Sequence, residues 1–333
     1  MKPLFPSKLK EGDEIRVIAP SRSMGIISNT NKVLAIKALE RLGLKVSFGR
    51  HVNEQDIMHS SSIESRLTDL HEAFSNPNVK AILAVIGGYN SNQLLDYIDY
   101  NLIKRNPKIF CGFSDITALG NAIYHKTELI TYSGLHFSSF AMQKGFDYSL
   151  EYFKKIFFES NEISLVSSKE WSDDAWYLDQ EKRVFHPNPG YKVIHPGHAK
   201  GKIVGGNLGT LRLLCGTPYM PPLDDTILFL EEVSSSSSTD VYEFDRNLQA
   251  LTQEPHFEKV RAIVIGRFEN SFGMTDEKLH YILSTKAALK NISIVADADF
   301  GHTTPIYTFP IGSNCYLNAE APRSVTLVIS ESR

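Results

Sequence analysis

The chain is poor in the residues that build disulfide scaffolds and metal sites. Of its 333 residues only three are cysteine, Cys111, Cys215 and Cys315, set far apart in largely apolar surroundings. That spacing fits neither a disulfide framework nor a zinc site. Charge of one sign is missing as well: 35 Lys and Arg stand against 38 Asp and Glu, a formal charge of −3. No basic field therefore calls for a nucleic-acid polymer or an anionic membrane. No run approaches the eighteen or so apolar residues of a membrane span, and the N-terminal segment lacks the apolar core of a signal peptide. The expectation is a soluble, cytoplasmic protein that works on a small molecule.

What the chain does have is alternation. Apolar, β-rich runs at 14–21, 45–49, 79–86, 109–113 and 129–133 are separated by amphipathic helical stretches, including 31–42, 91–98, 115–126 and 146–160. Ser61 with Glu64 three residues later suggests a capping box at the start of the helix after 45–49. Near-continuous hydrophobic strands between helices mean a parallel sheet covered on both faces. The first half is thus expected to be a doubly wound, flavodoxin-like or Rossmann-like α/β domain. Periodicity fades across 167–200, which is rich in Pro, Gly and His and holds both tryptophans. A second, mixed α/β unit follows, with strands expected at 202–204, 226–230, 262–266 and 292–296. At 333 residues two cores are expected. The divisions are an N-terminal domain over 1–165, a linker and substrate loop over 166–200, and a C-terminal domain over 201–333, with the site at their junction.

One serine stands out. In Gly112-Phe113-Ser114-Asp115-Ile116-Thr117 a buried strand ends in a turn and a helix begins directly. Such a turn holds a hydroxyl clear of its neighbours, while free N–H groups and the positive end of the helix dipole face any developing anion. The plainer possibility is that Ser114 or Asp115 only caps the helix. Its company favours chemistry. Gly87-Gly88-Tyr89-Asn90, Leu230-Glu231-Glu232 and Gly301-His302-Thr303-Thr304-Pro305 each follow other apolar runs, and the carboxyl ends of strands in an open α/β sheet line one crevice. A serine hydroxyl needs an adjacent base, and that base needs a partner to orient it. Ser114, His302 and Glu231 can fill those roles.

The ordered set Val17-Ile18-Ala19-Pro20-Ser21, Gly87 to Leu95, Gly112 to Thr117, Gly205-Gly206-Asn207-Leu208, Phe229 to Glu232 and Gly301 to Pro305 resembles the S66 serine peptidases over nearly the whole chain. That family comprises the L,D-carboxypeptidases of murein recycling and the microcin C7 self-immunity proteins. The resemblance implies a catalytic triad of Ser114, Glu231 and His302, and an oxyanion hole formed by the backbone N–H groups of Gly88 and Asp115. It also implies no cofactor and a homodimer. Gly87-Gly88-Tyr89-Asn90-Ser91-Asn92-Gln93 and the segment 171–181 look more like the immunity branch, whose members cleave an amide joining an aminoacyl group to a modified nucleotide and so serve antibiotic resistance. Asn90, Asn92 and Asn207 are then expected to touch substrate, and Trp171 or Trp176 to stack on a base, unless the tryptophans simply pack at the domain junction.

Other readings are weaker. A murein L,D-carboxypeptidase removing a terminal D-amino acid is the alternative within the family. A two-lobed binding protein is the alternative outside it, and a cysteine amidotransferase using Cys111 is disfavoured because that residue falls inside a strand. His195-Pro196-Gly197-His198 lacks helical ligand spacing, so no metal is expected. Gly205 to Gly209 lacks the Lys-Ser/Thr ending of a phosphate loop. The five serines from Ser234 to Ser238 suggest a mobile loop beside the site.

Overall fold

The computed structural model describes residues 3–320 and 322–330. Its first half builds β1 (Glu14–Ile18), α1 (Asn29–Glu40), β2 (Lys45–Phe48), α2 (Ile63–Ser75), β3 (Val79–Ala84), α3 (Tyr100–Arg105), β4 (Ile109–Cys111), α4 (Thr117–Thr127), β5 (Thr131–Ser133) and α5 (Asp147–Phe158). The five strands are parallel and run in the order β2-β1-β3-β4-β5, the flavodoxin-like order with its switch point between β1 and β3. Local chemistry sets the helix starts. Ser28 accepts from the Asn31 N–H and begins α1, and Ser62 accepts from the Ser65 N–H and begins α2. The expected capping box of Ser61 and Glu64 does not form; a simple N-cap stands one residue on, because Ser62 has the extended backbone that lets its hydroxyl reach the first turn. The 91–98 stretch forms a 3-10 turn, Ser91–Tyr97, rather than an α-helix.

The rest of the chain forms β6 (Ile163–Ser164), β7 (Glu170–Trp171), β8 (His186–Pro187), β9 (Lys192–His195), β10 (Gly197–Asn207), α6 (Leu208–Arg212), β11 (Thr226–Glu231), α7 (Asp240–Leu251), β12 (Ala262–Gly266), α8 (Asp276–Ser284), β13 (Ser293–Ala298), β14 (Phe309–Ile311), β15 (Asn314–Glu320) and β16 (Ser324–Ser330). A second sheet has the order β6-β16-β15-β10-β11-β12-β13-β9, parallel from β10 to β13 and antiparallel at both flanks. The protein is therefore a mixed α/β structure in two lobes.

Two expected divisions do not coincide with these sheets. Residues 166–200 are not only a linker: they supply the β7–β8 hairpin, the edge strand β9 and the start of β10. The C-terminal portion is also not self-contained, since β14 crosses back and pairs antiparallel with β5 of the first sheet. Packing explains the crossing. Phe309 on β14 lies 4.8 Å from the Phe229 ring and 5.2 Å from the Phe300 ring, so the strand fills the space between sheets with aromatic surface. Both buried cores draw on both halves. One runs from Val17 and Phe153 to Phe229 and Leu327, the other from Phe110 and Leu119 to Leu228 and Phe244.

The seam between lobes is polar where backbones meet. Asn121 on α4, fully buried, donates to the Gly205 carbonyl at 2.8 Å and accepts from the Gly205 N–H at 3.2 Å. Thr117 Oγ1 accepts from the Asn207 N–H at 3.0 Å. A Cβ on Gly206 would sit 2.4 Å from that same Thr117 oxygen, so only glycine permits this approach. Asn121→Ala would orphan both backbone groups of Gly205. Each unmade buried hydrogen bond costs about 1–3 kcal/mol, so urea denaturation is expected to show a loss of about 2–5 kcal/mol.

Candidate active site

The carboxyl ends of the central strands of both sheets open onto one crevice. After β4 the chain reaches Ser114, whose φ of +60° lies in the left-handed region that a non-glycine residue occupies only under constraint. Ser114 and Asp115 do not cap the following helix. The cap positions of this turn and of α4 are Phe113 and Ile116, neither with a side-chain hydrogen bond. The turn instead lifts the hydroxyl into the crevice. A Cβ on Gly87 would begin 2.9 Å from Ser114 Cβ and 3.5 Å from the Asp115 nitrogen, so the glycine pair after β3 lies directly against the serine turn.

From the other lobe come a carboxylate and an imidazole. Glu231 ends β11 and is 2 % exposed. His302 follows β13 on a loop that passes over Glu231, at Gly301 with φ +105°, where a Cβ would stand 2.7 Å from Glu231 Oε2. His302 Nδ1 lies 2.7 Å from Glu231 Oε2, and its Nε2 lies 3.1 Å from Ser114 Oγ. A carboxylate only accepts, so Nδ1 carries the proton and Nε2 is free to accept from the serine hydroxyl. Burial disfavours the imidazolium, but the Glu231 carboxylate, with Glu269 and Glu232 beyond it, outweighs that and raises the His302 pKa above its ordinary value. The geometry suits transfer of the serine proton to His302, with Glu231 balancing the charge that results.

The surroundings brace this line. Phe113 stacks on His136 at 4.1 Å, and the His136 Nε2 accepts from the Phe113 N–H at 3.1 Å. Burial pushes the His136 pKa down to about 3, so this second imidazole stays neutral. It was not singled out from sequence, although its place just past β5 repeats the strand-end signal of the other site residues. Glu232, next to Glu231, faces Asn207 and Asn247, and burial together with the Glu231 charge lifts its pKa to about 7. Asp299, also unmarked in the sequence, accepts from the Ser168 N–H at 2.6 Å and from Asn188, and faces Arg267, anchoring the chain three residues before His302.

The remaining expected site residues occupy varied settings. Asn90 turns its Oδ1 toward the hydroxyls of Ser60 and Ser21, at 3.4 and 3.5 Å. Asn92, half-buried, sits in the turn Ser91–Tyr97. Asn207 caps α6, accepting from the Thr210 N–H at 2.9 Å, while its amide nitrogen donates to Glu232 at 3.2 Å. Trp171 has the Arg267 guanidinium over its ring at 5.1 Å and His186 beside it at 5.1 Å, whereas Trp176 packs on the aromatic core. Ser172 pairs with Thr304 through both backbone N–H groups, at 2.7 and 2.8 Å, so the Trp171 segment runs alongside the His302 loop. The serine loop is tied rather than loose: Ser234 N–H donates to Glu269, and Ser235 N–H to Asp240. Cys111 is fully buried in β4 with its thiol pKa raised by burial, which suits packing and not nucleophilic attack. Among the described residues no His, Cys, Asp and Glu group could hold a metal ion, and no helix is long and apolar enough to cross a membrane. A surface hollow of about 880 Å³ is lined by His198, Asp225, Arg261 and Ile292, at the amino ends of the strands and opposite this crevice.

Comparison with known proteins agrees with the architecture. Residues 15–134 match the LD-carboxypeptidase N-terminal domain of peptidase family S66, and residues 200–317 match its C-terminal domain. The chain belongs to the S66 peptidase family. YocD of Bacillus subtilis (strain 168), provisionally named a carboxypeptidase, is 52% identical over 316 residues, 95% of this chain and 96% of that one. The crystal structure of an MccF-like protein from Bacillus anthracis str. Ames superposes with a TM-score of 0.97 at 52% identity, covering 98% of this chain and 99% of that one. The microcin C7 self-immunity protein MccF of Escherichia coli is 32% identical over 322 residues, 93% of this chain and 92% of that one. Its structure in complex with glutamyl sulfamoyl guanosine has a TM-score of 0.87 and covers 99% of each chain. As an S66 family member the chain is grouped with serine hydrolases of the carboxypeptidase type.

Two pH effects follow from the site. Activity that needs a neutral His302 is expected to rise with pH through a midpoint above 6.5, read from kcat/KM profiles. Glu231→Gln should move that midpoint down while lowering kcat by about two to four orders of magnitude. Glu232 binds its proton more tightly folded than unfolded, so fold stability is expected to fall as pH rises from about 4.5 to about 7. Glu232→Gln should flatten that slope in thermal melts taken across the same window.

Proposed function

We propose that this chain is a serine amidase of the S66 type that hydrolyses the amide joining an aminoacyl or peptidyl group to a nucleotide-like leaving group. The observation that carries the proposal is the line from Ser114 Oγ to His302 Nε2 at 3.1 Å and from His302 Nδ1 to Glu231 at 2.7 Å. Ser114 attacks the acyl carbon as His302 takes its proton. The tetrahedral oxyanion is held by the N–H groups of Gly88 and Asp115, where a fixed donor is worth about 3–4 kcal/mol. His302, now protonated, gives its proton to the departing nitrogen and the acyl group stays on Ser114. A water, deprotonated by His302, then attacks the ester, releasing the acid and restoring the serine.

Three features support this substrate class. MccF, a relative over nearly the whole chain, has been solved with an aminoacyl sulfamoyl nucleoside. The charges that raise the His302 pKa are the carboxylates Glu231, Glu269 and Glu232, a field that attracts the ammonium of an aminoacyl group. Trp171, on the segment paired with the His302 loop, offers an aromatic surface near the site, and base stacking is worth about 1–3 kcal/mol.

The test offers purified protein aspartyl sulfamoyl adenosine in one reaction and the murein tetrapeptide ending in D-alanine in another, with products followed by mass spectrometry. Release of aspartate and sulfamoyl adenosine is expected, with Ser114→Ala slower by several orders of magnitude. Release of D-alanine alone would overturn the nucleotide assignment, and full activity in Ser114→Ala would overturn the mechanism.

A further inference from the structure

The proposed oxyanion hole takes its two donors from different loops, one after β3 and one after β4, so something must hold those loops at a fixed separation. Asp115 occupies that place. Its side chain is buried, with the residue 2 % exposed, and one oxygen, Oδ2, collects three donors. These are the Asn90 N–H at 3.0 Å, the Ser91 N–H at 2.9 Å and the Ser21 hydroxyl at 2.5 Å. The Asp115 carbonyl in turn accepts from the Ser91 hydroxyl at 2.6 Å. Gly88 lies beside the same anchor, since a Cβ there would begin 2.2 Å from Ser21 Oγ.

The Asn90 carbonyl of this loop is held by the opposite charge. Arg66 on α2, 3 % exposed, donates to the Asn90 carbonyl at 3.0 Å and to Gln93 Oε1 at 2.7 Å, and weakly to the Pro20 carbonyl. Ser60 donates to the Ser21 carbonyl at 2.6 Å. A buried carboxylate thus gathers the Asn90 and Ser91 N–H groups of the glycine-pair loop while a buried guanidinium holds its Asn90 carbonyl. Charge-assisted bonds of this kind are short and strongly directional, and the low polarity of the interior strengthens them.

We propose that the Asp115 side chain, backed by Ser21 and Arg66, is a positioning device that sets the distance between the two oxyanion donors. One residue would then supply a donor through its backbone and fix the other through its carboxylate. The inference rests on the serine-hydrolase reading above. It goes beyond it in assigning the side chain a part in transition-state stabilisation rather than in substrate binding. A loosened loop raises the energy of the oxyanion, which exists only in the transition state and intermediate, and leaves ground-state binding alone. The effect therefore belongs in kcat and not in KM.

The test measures kcat and KM for Asp115→Ala, Asp115→Asn and Ser21→Ala on whichever of the two substrates above the wild-type protein cleaves, with Ser114→Ala as reference. In Asp115→Ala kcat is expected to fall by about 10²-fold, the effect of losing one oxyanion donor, with KM within about threefold of wild type. Asp115→Asn keeps an acceptor oxygen for the loop N–H groups and should recover most of the loss. Ser21→Ala, which removes one of the three bonds, should lower kcat by about fivefold to twentyfold at unchanged KM. If Asp115→Ala does not give a cooperative melt, the Ser21→Ala and Asp115→Asn results decide the matter. Unchanged kcat in Asp115→Ala, or in Ser21→Ala where the alanine variant does not fold, overturns the inference. So does a loss shared equally by Asp115→Ala and Asp115→Asn with KM rising in step. Retained activity in Ser114→Ala would instead overturn the underlying hydrolase reading, so the two failures are distinguishable.

Discussion

Everything at the crevice depends on how closely α4 approaches the end of β10. Ser114 precedes α4 by three residues, and β10 runs in register with β11 so that Asn207 pairs with Glu231. Fixing α4 against Gly205 and Gly206 therefore fixes the serine relative to the carboxylate. The contact is made by backbone against side chain at van der Waals distance, through Thr117 and Asn121, with no room for a Cβ. Packed contacts of this kind do not deform gradually, because interiors are as dense as organic crystals and the polar groups inside them have nowhere else to bond. A shift of an ångström at the seam would break the 3.1 Å contact between Ser114 and His302.

The electrostatic design has the same two-sided character. Glu231 is almost wholly buried, and its second oxygen, Oε1, has no partner among the described residues. A desolvated carboxylate leans heavily on whatever cation it can reach, and His302 is that group once it takes a proton. The neighbouring imidazole, His136, is kept neutral by its burial and packs against the Phe113 ring and backbone. Two histidines a short distance apart thus differ because one faces a carboxylate and the other faces a ring and a peptide group. The left-handed backbone at Ser114 adds a local cost of about 1–3 kcal/mol, offset by the surrounding seam and by the bonds gathered on Asp115.

Legibility followed the physics of each signal. Strand ends were readable because buried parallel strands are short apolar runs, and the groups just past them stood out as glycine pairs, carboxylates and imidazoles. Helix starts were readable only to within two residues, as the starts at Asn29 and Thr117 and the move from Ser61 to Ser62 show, since neighbouring capping residues offer equivalent groups until backbone angles choose between them. The return of β14 to the first sheet was hidden because three apolar residues carry no information about their partner. Asn207, marked as a substrate contact, is engaged as a helix cap and with Glu232, a pairing that needs residues from two strands. The sequence offers Asp115 as a backbone donor or a helix cap, and the donors gathered on its side chain come from loops far away in the chain.

The amino-acid sequence by itself determined the class of fold, the strand order of events along the chain and the kinds of group available at each strand end. Those follow from local rules, in which hydrophobic periodicity selects the element and turn chemistry ends it. Only the tertiary structure decided which of those groups meet. Ser114, Glu231 and His302 are separated by as many as 188 positions, and their hydrogen bonds exist because two sheets pack through a glycine seam. The polarity and charge state of each group were likewise settled by packing, because burial and the nearest opposite charge, not residue type, set how tightly a proton is held.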